Sequence, residues 1–236
     1  MNIDYLKIFS QETMMPDTFG TISIVGNSSL LDVDRDIVDQ SDLVVRFNNF
    51  GTRTGLDRTK DPLHCDILFT TFDAHSAGCN PKHVVIGIPY PFKIDRVVSL
   101  AEKWYPDSKI WMVNPYWNKQ ICDDLNLVSE GWAHPIPSIG FTALWHIHRI
   151  VKLGLLKRRI FYVCGFEWYF DHRTQRFQCA NIEADSFPQT WNHCYPREAR
   201  WVIDYMLGED NFVFGPRQIE ILGIGQCQME RKRNNI

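Results

Sequence analysis

The chain has 236 residues, 44% of them hydrophobic and 22% charged, with a formal net charge of −3. That length suits one compact domain, or one domain with a lid, around a sizeable core. The weakly acidic balance argues against a nucleic-acid binder that neutralises many phosphates. Seven cysteines without a C-x-x-C pair read as thiols of a reducing compartment, not as a disulfide framework. Met1 to Pro16 lacks the apolar run of a signal peptide, and no stretch reaches bilayer length. The expectation is a cytoplasmic protein.

In chain order, TISIVG (21–26) is an apolar strand that stops at Gly26, ahead of Asn27, Ser28 and Ser29. A glycine there lets the backbone approach a ligand, and Asn and Ser add donors, although the same residues also make a plain helix-capping turn. DVDRD (32–36) contains the Asp-x-Asp that many sugar-nucleotide enzymes use for a metal. These acids lie past the strand's end, so they read as the start of a helix, with no metal expected. LVVRFN (43–48) is the next strand, and RFNNF ends it with Arg46, Asn48 and Asn49, amides suited to a ribose, a base edge or a turn.

CDILFTTF (65–72), HVVIGIPY (83–90), KIWMVN (109–114), RIFYVCGF (159–166) and NFVFG (211–215) continue the strand series. Helical spacing fills 93–105, 116–127, 141–157 and 196–207. Most strands are continuously apolar, the pattern of burial on both faces. Alternation of this kind predicts an α/β fold with an open, mostly parallel central sheet flanked by helices, and ligands beyond the strands' carboxyl ends. Pro137 and Ser138 lead through Gly140 into an apolar helix whose first N–H groups suit a carboxylate or phosphate. His146 and His148 on that helix read as packing or surface residues. The segment 167–192, rich in aromatic and polar residues, reads as a long ordered loop or lid. His193 stands just before a helix starting at Pro196, with Glu198 in its first turn, a setting that keeps a histidine neutral and available as a base, although one histidine among eight reads first as a loop residue of no consequence. The tail MERKRNNI reads as a frayed, solvated terminus; weak contact with anionic lipid heads is the lesser reading. No G-x-G-x-x-G, G-K-[ST], G-x-S-x-G or metal-ligand histidine spacing occurs, which disfavours dinucleotide, P-loop, hydrolase and metalloenzyme readings.

Taken together, SIVGNSSLL with DLVVRFNNF, IPSIGFTAL with IFYVCGFEWY, and HCYPRE resemble the large, small and His-x4-Glu motifs of the sialyltransferases, over residues 21 to about 205. The compact layout is similar to that of the bacterial lipooligosaccharide enzymes. The resemblance implies a single-domain variant of the GT-A architecture and a metal-independent, inverting transfer of sialic acid, or a related ulosonic acid, from a CMP-linked donor to a glycan or glycolipid hydroxyl. It implies no cofactor, no nucleic-acid partner and a place in the cytoplasm or at the inner membrane face. It also implies that Asn27, Ser28 and Ser29 contact CMP and that Asn48 holds its ribose or phosphate. Ser138 and Gly140 would meet the donor carboxylate or cytidine, and Gly165 and Phe166 complete the donor site. His193 would be the general base and Glu198 would orient the loop around it. The family's further tyrosine or histidine motif is absent as such, leaving Tyr169 or His172 to support the leaving phosphate. Two alternatives stay open: a transferase using CMP-Kdo on lipopolysaccharide, and a non-catalytic CMP-binding module.

Overall fold

The computed structural model describes residues 20–48, 64–71, 79–87, 94–113, 115–126, 137–154, 159–168, 170–171, 173, 176–177 and 195–234. Its strands are β1 (Thr21–Val25), β2 (Leu43–Phe47), β3 (Ile67–Thr70), β4 (His83–Ile86), β5 (Lys109–Met112), β6 (Ile160–Cys164), β7 (Phe170–Asp171), β8 (Arg176–Phe177) and β9 (Phe212–Phe214). Seven of them form one all-parallel sheet in the order β5-β4-β3-β2-β1-β6-β9. The seven predicted strand segments are the seven strands of this sheet.

Helices α1 (Asp32–Asp39), α2 (Ile94–Trp104), α3 (Pro115–Asp124), α4 (Ile139–Lys152), α5 (Tyr195–Tyr205) and α6 (Pro216–Asn234) flank the sheet. Successive strand residues point to opposite faces, so each strand feeds two cores. Ile22, Ile24, Val45, Ile67 and Phe161 join one large cluster with residues of α3, α4 and α5. On the other face Val44, Tyr162 and Cys164 pack with Val38 of α1, while Leu68, Val84 and Ile86 pack with Val98 and Ala101 of α2. Both faces are covered, which is why the runs are continuously apolar. Among the described residues no helix is long and apolar enough to cross a membrane.

DVDRD does start a helix. Asp34 is 2% exposed, and its carboxylate accepts from the Leu31 N–H (3.0 Å) and from the Tyr162 hydroxyl (2.6 Å) across the fold. The first bond is half of a capping box; the second ties α1 to the centre of the sheet.

One expectation is corrected. The tail expected to fray continues α6 to Asn234. Pro216 starts that helix at its favoured position, and Gly223 and Gly225 inside it break the apolar spacing by which a helix is recognised. Within the segment read as an ordered loop or lid, 167–192, the described residues add the antiparallel pair β7–β8, with Phe170 opposite Phe177. Strands of two residues are too short to show a period of two. Residues 178–194 lie outside the described residues.

Tyr162→Phe removes one donor from a buried carboxylate and is expected to lower unfolding free energy by about 1–3 kcal/mol in urea titrations. A loss below about 0.5 kcal/mol would remove this bond from any role in stability.

Candidate functional site

A cavity of about 270 Å3 opens beyond the carboxyl ends of β1, β2 and β6, just below the ~300–1,000 Å3 range of ligand sites. Its position follows from the topology. From β1 the chain builds outwards through β2 to β5, then returns to place β6 and β9 on the other side. The loops leaving β1 and β6 therefore diverge, and a crevice forms between them.

The floor of this crevice is a backbone contact. The Gly26 N–H donates to Cys164 O (2.8 Å) and the Ser28 N–H to Gly165 O (3.0 Å). A Cβ on Gly26 would lie 2.1 Å from Gly165 O, a distance no side chain allows. Gly165 itself has a φ of +70°, the left-handed region where glycine is unstrained. Asn27 and Ser28 line the cavity, whereas Ser29, expected with them, is exposed and is not part of the lining.

Asn48 lines the next wall and has a φ of +48°. Its Oδ1 accepts from the Thr71 N–H (3.0 Å) and from Thr71 Oγ1 (3.3 Å). The amide oxygen is thus committed to Thr71. Arg46, two residues earlier, is fully buried within β2 and does not belong to the lining.

The third wall is the start of α4. Ser138 caps it, with Oγ accepting from the Phe141 N–H (3.1 Å). The same residue is clamped from α5, because the Ser138 N–H donates to Glu198 Oε1 (2.7 Å) and its hydroxyl to Oε2 (2.7 Å). Both Ser138 donors are thus spent on protein. The N–H groups of Ile139 and Gly140, which have no intrahelical acceptor, are the ones α4 offers to an anion. A Cβ at Gly140 would meet the Phe166 ring at 2.8 Å, so the bare backbone lets that ring lie against the helix start.

Glu198 is fully buried, and burial pushes its carboxyl up to about 7, with the two Ser138 hydrogen bonds pulling the other way. The resemblance implies that Glu198 orients the loop around His193; in the structure its described partner is Ser138. His193, Tyr169 and His172 lie outside the described residues, as does Asn49. His146 and His148 are buried packing residues, and burial holds His146 down near 3. Among the described residues no group of three or more His, Cys, Asp or Glu gathers as metal ligands do.

No known protein family, curated protein sequence or solved structure matches this chain.

The structure also adds residues that sequence reasoning missed. Phe47, Ile139, Glu167, Trp168 and Tyr195 line the cavity. Behind them, the first turn of α6 holds the β6 loop: Arg217 pairs with Glu167 at 2.9 Å, and Gln218 Nε2 donates to Phe166 O at 3.0 Å. Position relative to a strand end could have flagged Glu167 and Trp168, but nothing in the sequence marks Arg217 or Gln218. The assembled surface offers amide and hydroxyl donors, a helix N-terminus and aromatic walls, chemistry suited to an anionic, hydroxyl-bearing ligand.

Glu198 has a direct consequence for stability. Its folded pKa of about 7 lies above the ordinary value of 4.5, so its contribution is fully present below about 4.5 and is lost as pH rises to about 7. His146 has the opposite sign, because its depressed pKa costs stability as pH falls from 6.5 towards 3. The two oppose each other between, so the comparison is wild type against Glu198→Gln. The melting-temperature advantage of the wild type should shrink from pH 4.5 to about pH 7 and level off above it; a constant difference would contradict the assignment.

Proposed function

We propose that the chain is a glycosyltransferase of sialyltransferase type. It moves sialic acid or a related ulosonic acid from a CMP-linked donor to a glycan hydroxyl, with inversion and without a metal. One observation carries this reading: segments far apart in the sequence, each singled out beforehand (Asn27–Ser28, Asn48, Ser138–Gly140 and Gly165–Phe166), line one cavity at the switch point of the sheet. The GT-A-like kinship, the single-domain organisation and a lid formed by 167–192 belong to the same proposal.

In this reading the single-glycine turn after β1 admits the phosphate of a nucleoside monophosphate. The Ile139 and Gly140 N–H groups supply positive potential for an anionic group without a metal ion. Asn48 donates to the ribose or phosphate. Loss of CMP leaves oxocarbenium character at the anomeric carbon, and His193 takes the acceptor proton as the new bond forms. His193 stands two residues before Tyr195, which lines the cavity. Glu198 acts as a positioning residue by holding Ser138, and through it the start of α4.

Incubation with a panel of CMP-sugars, including CMP-sialic acid and CMP-Kdo, should release CMP in an acceptor-dependent manner from at least one ulosonic donor. His193→Ala should lower transfer by about 10²-fold or more, since general-base help is typically worth 10²–10⁴-fold, while calorimetric CMP affinity stays within about threefold. Transfer retained at about a tenth of the wild-type rate would remove His193 from the reaction.

A further inference from the structure

We infer that Trp168 is a specificity-determining residue of this cavity, its indole N–H reading a hydroxyl of the bound nucleotide's ribose. The inference rests on the CMP-donor reading above and names the part of the donor that this residue recognises.

Three observations meet at Trp168. The residue lines the cavity and is 5% exposed, yet its Nε1–H has no hydrogen-bond partner. Buried indole N–H groups normally find an acceptor, because water is lost and nothing replaces it otherwise. Second, Trp168 has a φ of +44° in the turn closed by the Phe170 N–H to Glu167 O bond (2.7 Å). Glycine or asparagine would sit there with little strain, whereas a bulky side chain costs free energy, and such strain gathers at ligand sites. Of the three non-glycine residues with positive φ among the described residues, Trp168 and Asn48 both line this cavity. Third, the turn is held on all sides. Trp168 stacks on Phe166 with centroids 5.6 Å apart and planes at 26°, Arg217 holds Glu167, and Gln218 holds the Phe166 carbonyl.

A complementary group lies on the β1 side of the same cavity. Asn27 Oδ1 is buried and likewise has no hydrogen-bond partner. The β1 and β6 loops are in backbone contact, with the Ser28 N–H on Gly165 O, and Asn27 and Trp168 both line the same cavity. A single ligand atom that accepts from an N–H and donates to an amide oxygen is a hydroxyl oxygen. A phosphate oxygen only accepts and an ammonium only donates. Within a CMP-sugar donor, the ribose brings such hydroxyls next to the phosphate.

The test compares CMP, 2′-deoxy-CMP and 3′-deoxy-CMP by calorimetry on wild type and Trp168→Phe, which keeps a ring for stacking but removes the N–H. Wild type should bind CMP about tenfold more tightly than one of the deoxy nucleotides, and Trp168→Phe should lose that preference. In 15N spectra the indole signal missing from Trp168→Phe should move on addition of CMP and stay with the corresponding deoxy nucleotide. This readout also decides the matter on wild type if the variant folds poorly, the signal then being assigned by selective labelling. Wild type that binds CMP but does not distinguish the deoxy nucleotides overturns the inference alone, and so does an unchanged preference in Trp168→Phe or an unmoved Trp168 signal. Wild type that fails to bind CMP overturns this inference together with the reading it rests on.

Discussion

The contact between Gly26 and Gly165 is the constraint on which the rest of the site depends. These residues end the two strands that adjoin at the switch point, and their loops must pass at backbone distance before they diverge. A Cβ on Gly26 would stand 2.1 Å from the Gly165 carbonyl oxygen, so the approach is closed to every other residue. With the loops seated, the Ser28 N–H reaches Gly165 O and the floor of the cavity is continuous hydrogen-bonded backbone. Separating the loops would move Asn27 and Trp168 apart and dissolve the pairing of chemistry across the crevice.

The rim is built from conformations and charges that a folded chain ordinarily avoids. Asn48 and Trp168 take left-handed backbone, and Glu198 is a carboxyl with no exposure to water. Each persists because the surroundings hold it. Thr71 fixes the Asn48 side chain, Gln218 and Arg217 fix the β6 loop, and Ser138 gives the Glu198 carboxyl two donors. The cost is borne by a parallel sheet whose strands are buried on both faces. That sheet supplies hydrophobic stabilisation independent of the site.

Much of the architecture was legible in the sequence because burial on both faces leaves a plain mark. Each of the seven sheet strands is a short apolar run, and each appears where that pattern placed it. DVDRD was readable as a helix start because acids favour that end of the helix dipole. The pair β7–β8 was not readable, since two residues carry no period. Helix α6 as a whole was obscured by its two glycines. At the site, Asn27, Ser28, Asn48, Ser138, Gly140, Gly165 and Phe166 were legible as strand-end or helix-start residues, and the structure brings them together. Ser29 was over-read, because proximity to Ser28 in sequence says nothing about which side of a turn faces the crevice.

By itself the sequence determined the seven sheet strands, the helices before residue 208, the mostly parallel arrangement and the strand ends at which a ligand site should form, since all of these follow from local patterns of apolar residues, glycines and caps. Only the tertiary structure decided what each site residue has left to offer. Ser138 turned out to spend both its donors on Glu198, and Asn48 spends its oxygen on Thr71. Arg217 and Gln218, far along the chain, emerged as the support of the β6 loop. The physical reason is that a hydrogen bond between residues 60 apart, as between Ser138 and Glu198, leaves no periodic trace along the chain. It exists only once the sheet has set the two helices side by side.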